Sequence, residues 1–103
     1  MTEREKRCEV VAEQARRILV EGTRPLTHVT VHLKDGCPSG VEFEDSSGIM
    51  DPYDRAVAGS LAIELRAAIF EAHDMTGHLE ARLATGRVHR RVTKKAAELI
   101  ATM

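Results

Sequence analysis

The sequence predicts a single α+β domain spanning residues 1–103, in which helices pack on a small antiparallel sheet. Apolar residues recur at helical spacing near the N-terminus and again after residue 55, whereas polar and apolar residues alternate between residues 26 and 45. The length of 103 residues is that of one ordinary domain. We expect a β-hairpin or a three-stranded sheet, packed by an N-terminal helix, a central buried helix and two C-terminal helices.

The first helix is predicted to run from Thr2 to Glu21. Thr2 followed by Glu5 forms a capping-box pattern, in which each side chain satisfies a free backbone N–H group. Apolar residues at helical spacing form one stripe, namely Cys8, Val11, Ala12, Ala15, Ile18 and Leu19. Gly22 suits the left-handed position after the last turn, and Pro25 prevents the helix from continuing.

A β-hairpin is expected next. Val29, Val31 and Leu33 alternate with polar residues, which predicts a strand over Leu26 to Lys34. Residues 35–40 are rich in turn formers and predict a loop that contains Cys37. A second strand follows over Val41 to Asp45, and residues 49–50 could add a short third strand.

The central helix is predicted to run from Asp51 to about His73. Asp51 is a favourable N-cap residue and Pro52 suits the first helical position. Its apolar residues form two lines, which indicates burial on more than one side. One line holds Val57, Leu61, Leu65 and Ala68, and the other holds Ala56, Ile63, Ala67 and Phe70.

Two C-terminal helices complete the prediction. Leu79 and Leu83 favour a short helix over residues 76–84, which Thr85-Gly86 would end. A last helix is expected over residues 87–102, with Val88 and Val92 among the residues of its apolar face.

The composition indicates a globular protein with an aliphatic core. Hydrophobic residues make up 43% and aromatic residues only 3% of the chain. The N-terminus lacks a signal-peptide pattern and no apolar run reaches the roughly 20 residues of a membrane span. We therefore expect an intracellular, cytoplasmic protein that makes no membrane contact.

No recognised catalytic or cofactor-binding motif occurs in the sequence, so we expect neither enzymatic activity nor a cofactor. Cys8 and Cys37 lack the spacing of a zinc site. His28 and His32 share a face of the first strand but lie about 13 Å apart, whereas each ligand of a zinc ion lies about 2.1 Å from the metal. His73 and His78 straddle a predicted helix break and could converge. We predict no metal site.

Charge is unevenly distributed and marks two candidate partner-binding groups. Residues 21–74 carry a net charge of −6 and residues 75–103 carry +4. The basic group, on the predicted last helix, consists of Arg87, Arg90, Arg91, Lys94 and Lys95. The acidic group, on the second strand, consists of Glu42, Glu44 and Asp45. The basic group could contact nucleic-acid phosphates, an acidic protein surface or only solvent.

The leading functional hypothesis is a non-enzymatic protein-binding domain, acting as a small regulator or as a stoichiometric inhibitor of a larger assembly. Small accessory proteins of phages and mobile elements, anti-CRISPR inhibitors among them, often have this size and lack catalytic motifs. The alternative is a nucleic-acid-binding domain that uses the basic C-terminal helix. The partner would accordingly be another protein, a nucleoprotein complex or nucleic acid.

Overall fold

The computed structural model describes residues 2–22, 26–45, 55–93 and 101, without the side chains of Asp45 and Arg55. Its elements are α1 (Glu3–Arg16, followed by a π-helical turn at Arg17–Glu21), β1 (Leu26–Lys34), β2 (Cys37–Asp45), α2 (Arg55–Glu71), β3 (Gly77–Arg82) and β4 (Arg87–Val92). The strands form one antiparallel sheet in the order β2-β1-β3-β4. The predicted α+β class is confirmed, but the predicted strand and helix counts are not.

Helix α1 follows the sequence pattern closely. The Thr2 hydroxyl oxygen accepts the backbone N–H of Glu5 at 3.1 Å, which confirms Thr2 as the N-cap. The predicted apolar stripe is buried at Cys8, Ala12, Ala15 and Leu19. The prediction for Gly22 is wrong, because its φ of −64° is not left-handed. Glycine is needed there for space, since a Cβ would lie 2.3 Å from the carbonyl oxygen of Ile18.

The first hairpin is tighter than predicted. Its turn consists of Asp35 and Gly36 alone, with φ values of 53° and 75°. Two consecutive positive φ values are typical of the two-residue turns that match the twist of paired strands. Because Cys37 already pairs with Lys34, β2 begins four residues earlier than expected and the predicted loop over residues 35–40 is wrong. The predicted strand at residues 49–50 lies outside the described residues.

Helix α2 presents one buried face and one exposed face. In the first predicted line, Leu61 and Leu65 are fully buried, Ala68 is buried and Val57 is half-buried. Ile69, which belongs to neither predicted line, is also fully buried. The second line is mostly exposed, since Ala56 and Ala67 are exposed and Ile63 is 74% exposed, and only Phe70 packs partly against the core. Among the described residues, α2 therefore covers the sheet without a further layer over its outer face. Its predicted start at Asp51 and Pro52 lies outside the described residues.

The predicted C-terminal helices are wrong over residues 77–92, which form the hairpin of β3 and β4. β3 pairs with β1 over six residues and buries Leu79 and Ala81 beneath the helices, while Glu80 and Arg82 face the other way. This burial outweighs the weak helical spacing of Leu79 and Leu83. The predicted helix beyond residue 93 falls almost entirely on residues that the structure does not describe.

Both helices lie on the same face of the sheet. The aliphatic core fills the space between the helices and that face. The β1 residues Val29, Val31 and Leu33 meet the buried faces of the helices there. Within residues 2–22, 26–45 and 55–93, no helix is long and apolar enough to cross a membrane.

Candidate functional site

The sheet face opposite the helices, here called the open face, carries two of the three predicted acidic residues, Glu42 and Glu44, and two of the five predicted basic ones, Arg87 and Arg91. Strand alternation places twelve polar or charged side chains on it: Glu42 and Glu44 on β2; His28, Thr30, His32 and Lys34 on β1; His78, Glu80 and Arg82 on β3; and Arg87, His89 and Arg91 on β4. The face is graded in charge, since its acidic strand β2 and its basic strand β4 form opposite edges of the sheet.

The acidic edge is formed by Glu42 and Glu44, whose side chains are 73% and 65% exposed. Each lies against a histidine of β1. A Glu44 carboxylate oxygen is 3.1 Å from Nε2 of His28, and a Glu42 carboxylate oxygen is 3.4 Å from Nε2 of His32. Asp45 ends β2, and its side chain is outside the described residues.

The basic edge is formed by Arg87, His89 and Arg91, all exposed on β4. The predicted basic group is divided by strand alternation, because Arg90 points to the helix side. A guanidinium nitrogen of Arg90 lies there 3.7 Å from the Glu71 carboxylate at the end of α2. The other two predicted residues, Lys94 and Lys95, are outside the described residues.

Glu80 occupies the centre of the open face and was not predicted as a functional residue. Its side chain is only 12% exposed and lies between two arginines. Its carboxylate oxygens are 3.3 Å from a guanidinium nitrogen of Arg82 and 3.4 Å from one of Arg91. Glu80 thereby links β3 to β4 and neutralises part of the positive charge, which leaves Arg87 as the arginine of the basic edge without an ion pair among the described residues.

A pair of histidines joins the two central strands. Nδ1 of His32 lies 2.9 Å from Nδ1 of His78, and the rings are nearly perpendicular, with centroids 4.7 Å apart. One nitrogen donates and the other accepts, so the two rings share one proton in this contact. His73 is exposed in the turn after α2, whereas His78 contacts His32 on the open face. In the part of the chain described by the structure, no three histidine, cysteine or acidic residues are placed to hold a metal ion.

The cysteines occupy different environments. Cys8 is fully buried, and its Sγ lies 3.9 Å from the carbonyl oxygen of Ile69. Burial raises the pKa of the Cys8 thiol. Cys37 is half-buried at the start of β2 rather than exposed in a loop.

The helix layer carries a shallow groove between α1 and α2. Its volume is about 310 Å³, and its lining includes Ala12, Gly59, Ala62 and the exposed Ile63. Arg66 lies at its rim and forms a 2.8 Å ion pair with Glu9 across the two helices. The charged residues of its lining, Glu13, Arg16 and Arg66, are already engaged in ion pairs.

Comparison of the chain with protein-family models, with curated proteins and with solved structures found no match.

Proposed function

We propose that this chain is a protein-binding domain that takes up an extended acidic segment of its partner along the outer edge of β4. The observation that carries the proposal is the character of this edge. Within the described residues only β3 pairs with β4, and Arg87, His89 and Arg91 project from β4 on the open face. An unpaired strand offers a row of backbone donors and acceptors to an incoming strand.

Strand addition would place the partner's side chains alternately on the two faces of the sheet. Acidic residues of the partner would meet the basic side chains of β4 on the open face. Apolar residues in between would lie on the helix side, beside the half-buried Val88 and beside Val92, which is 60% exposed. The expected recognition pattern is therefore a short segment with alternating acidic and apolar residues.

Several features favour an acidic protein segment over nucleic acid. Residues 87–92 form a strand rather than the predicted basic helix, so Arg87, Arg90 and Arg91 do not lie on a recognition helix. A nucleic acid lying across the open face would be repelled by Glu42, Glu44 and Glu80, whereas a strand added at the outer edge of β4 lies directly beside Arg87, His89 and Arg91. The described aromatic rings, Phe43 and Phe70, pack against the core and offer no platform for stacking bases.

A domain of this kind acts by binding and covering a surface of its partner, without catalysing a reaction. Covering an acidic strand of a larger assembly would block whatever that strand otherwise binds, as a small regulator or a stoichiometric inhibitor does. Because the β4 edge is only six residues long, the interface is small and we expect affinities in the micromolar range.

The test is a titration with a fluorescent peptide of alternating glutamate and valine, followed by anisotropy. A lysine–valine peptide and a random DNA duplex serve as competing ligands. We expect the acidic peptide to bind most tightly and Arg87→Glu with Arg91→Glu to weaken it by about tenfold or more, since each cross-strand charge pair contributes about 0.2–1 kcal/mol and reversal adds repulsion.

Arg66→Glu is the matched control, because Arg66 is exposed on the helix layer and should not affect the peptide. Undiminished binding by the β4 double variant would contradict the proposed site. Tighter binding of DNA than of peptide at physiological salt, lost in the same double variant, would replace the proposal with nucleic-acid binding.

A further inference from the structure

We infer that a second copy of this chain fits the β4 edge, with the acidic strand β2 of one copy adding to β4 of the next. This inference depends on the proposed function, because it names a partner for the same edge. It is suggested by the opposite charge of the two outer strands, which lie at opposite edges of the sheet and cannot meet within one molecule.

The topology allows this pairing without rearrangement. β2 is antiparallel to β1, β1 to β3, and β3 to β4, so β2 and β4 run in opposite directions. A second copy displaced along the sheet therefore brings its β2 antiparallel to β4 of the first, with the helices of both copies on the same face. The sheet then continues from one molecule into the next.

The side chains of the two edges match in charge and in alternation. β2 places Glu42 and Glu44 on the open face and Val41 and Phe43 on the helix side. Two registers set both glutamates against basic residues of β4. Glu44 faces Arg87 and Glu42 faces His89 in the first, and Glu44 faces His89 and Glu42 faces Arg91 in the second.

Both carboxylates remain available for such contacts, because their side chains are more than 60% exposed despite the nearby histidines of β1. Pairing of like edges is disfavoured, because two β4 strands would place arginines opposite arginines and two β2 strands would place glutamates opposite glutamates. The favoured contact is therefore heterologous, and each added copy leaves one acidic and one basic edge free. Such assemblies grow into rings or filaments and do not stop at a dimer.

Sedimentation velocity of the full chain over a concentration series tests the inference. We expect species larger than a dimer with rising concentration, with a midpoint below about 1 mM, and a weakening in high salt because the contacts are exposed. Two charge-reversal variants sharpen the test: Glu42→Lys with Glu44→Lys, which makes both edges basic, and Arg87→Glu with Arg91→Glu, which makes both edges acidic.

Each variant alone should be monomeric, and an equimolar mixture should assemble again because opposite edges are restored. Recovery on mixing also shows that both variants are folded. The control Ile63→Asp, on the helix layer, should assemble like the wild type. A monomeric wild type at about 1 mM, or assembly unaffected by both reversals, would overturn the inference. If the wild type stays monomeric but binds the glutamate–valine peptide at β4, the proposed function stands and only the second copy is excluded.

Discussion

Replacement of Gly36 by alanine tests how the first hairpin is seated on the helix layer. Gly36 has a φ of 75°, and a Cβ at this position would lie 2.3 Å from the carbonyl oxygen of Ala72, just after α2. The turn is fixed there by two further contacts. The Gly36 N–H donates to the carbonyl oxygen of Met75 at 2.7 Å, and Arg4 donates to the Gly36 carbonyl oxygen at 3.2 Å.

The expected cost follows from these contacts. A left-handed conformation costs a residue with a side chain about 1–2 kcal/mol. The backbone contact must also be relieved by moving the turn away from α2, which weakens the two hydrogen bonds at about 0.5–1.5 kcal/mol each. The free energy of unfolding should therefore fall by about 2–5 kcal/mol. This is a large part of the roughly 5–15 kcal/mol that stabilises a domain.

Gly86 provides a matched control in the second hairpin. Its φ is 62°, but the nearest atom to an added Cβ is Cγ1 of Val57 at 4.0 Å. Gly86→Ala should therefore cost only the conformational term of about 1–2 kcal/mol. Urea unfolding followed by circular dichroism measures both variants, and with a slope near 1 kcal/mol/M each kcal/mol shifts the midpoint by about 1 M. Equal midpoints for the two variants would refute the close contact of Gly36 with the backbone of Ala72 after α2.

Three further predictions concern the core, the thiols and α1. Leu65→Ala should lower the free energy of unfolding by about 2–5 kcal/mol in the same assay, and a loss below about 1 kcal/mol would contradict its burial. In the folded protein, Cys37 should react with a thiol reagent well before Cys8, whose burial raises its pKa, so two equally fast thiols would be inconsistent with the packing. Hydrogen bonds, chiefly from Arg16, lower the pKa of Glu13 in the folded protein to about 2. Because the pKa in the unfolded chain is about 4.3, the ionised carboxylate stabilises the folded state above that pH. This stabilisation is lost as the pH falls from about 4.3 toward 2. Pairwise unfolding of wild type and Glu13→Gln from pH 7 to 2 should show a stability difference that disappears at the acidic end, and a constant difference would argue against the ion pair.

The sequence was sufficient to predict secondary structure where only one periodicity, helical or alternating, fits the apolar residues. β1 has the predicted bounds because Val29, Val31 and Leu33 alternate with polar residues and no helical spacing competes. The α1 stripe and its Thr2 cap were likewise predictable, since both depend on residues close together in the chain.

The C-terminal half was misread for a physical reason. A spacing of four residues fits both a helix and a strand, because four is close to one helical turn and is also an even number. Val88 and Val92 have this spacing, and Arg90 between them interrupts the apolar alternation that would indicate a strand. The structure accommodates Arg90 on the helix side because β4 is an edge strand, where its long side chain reaches Glu71.

Because β3 was predicted as a helix, part of the candidate site could not be predicted from the sequence. The acidic edge followed directly from the predicted strand, but the contact between His32 and His78 requires β3 to lie beside β1. With β3 predicted as a helix, no sequence argument could bring these rings together. The alternation of Leu79 and Ala81 with Glu80 was the signal that indicated a strand over these residues.

The strand order also has a consequence for folding kinetics. Each hairpin joins neighbours in the chain, whereas β1 and β3 pair residues as far apart as His28 and Arg82. Hairpins of this kind form in about 1–10 μs, but the closure of a long loop carries an entropy cost before any contact repays it. The pairing of β1 with β3 is therefore the step expected to limit the folding rate. Core substitutions along this seam, such as Val31→Ala, should slow folding more than substitutions in either hairpin turn.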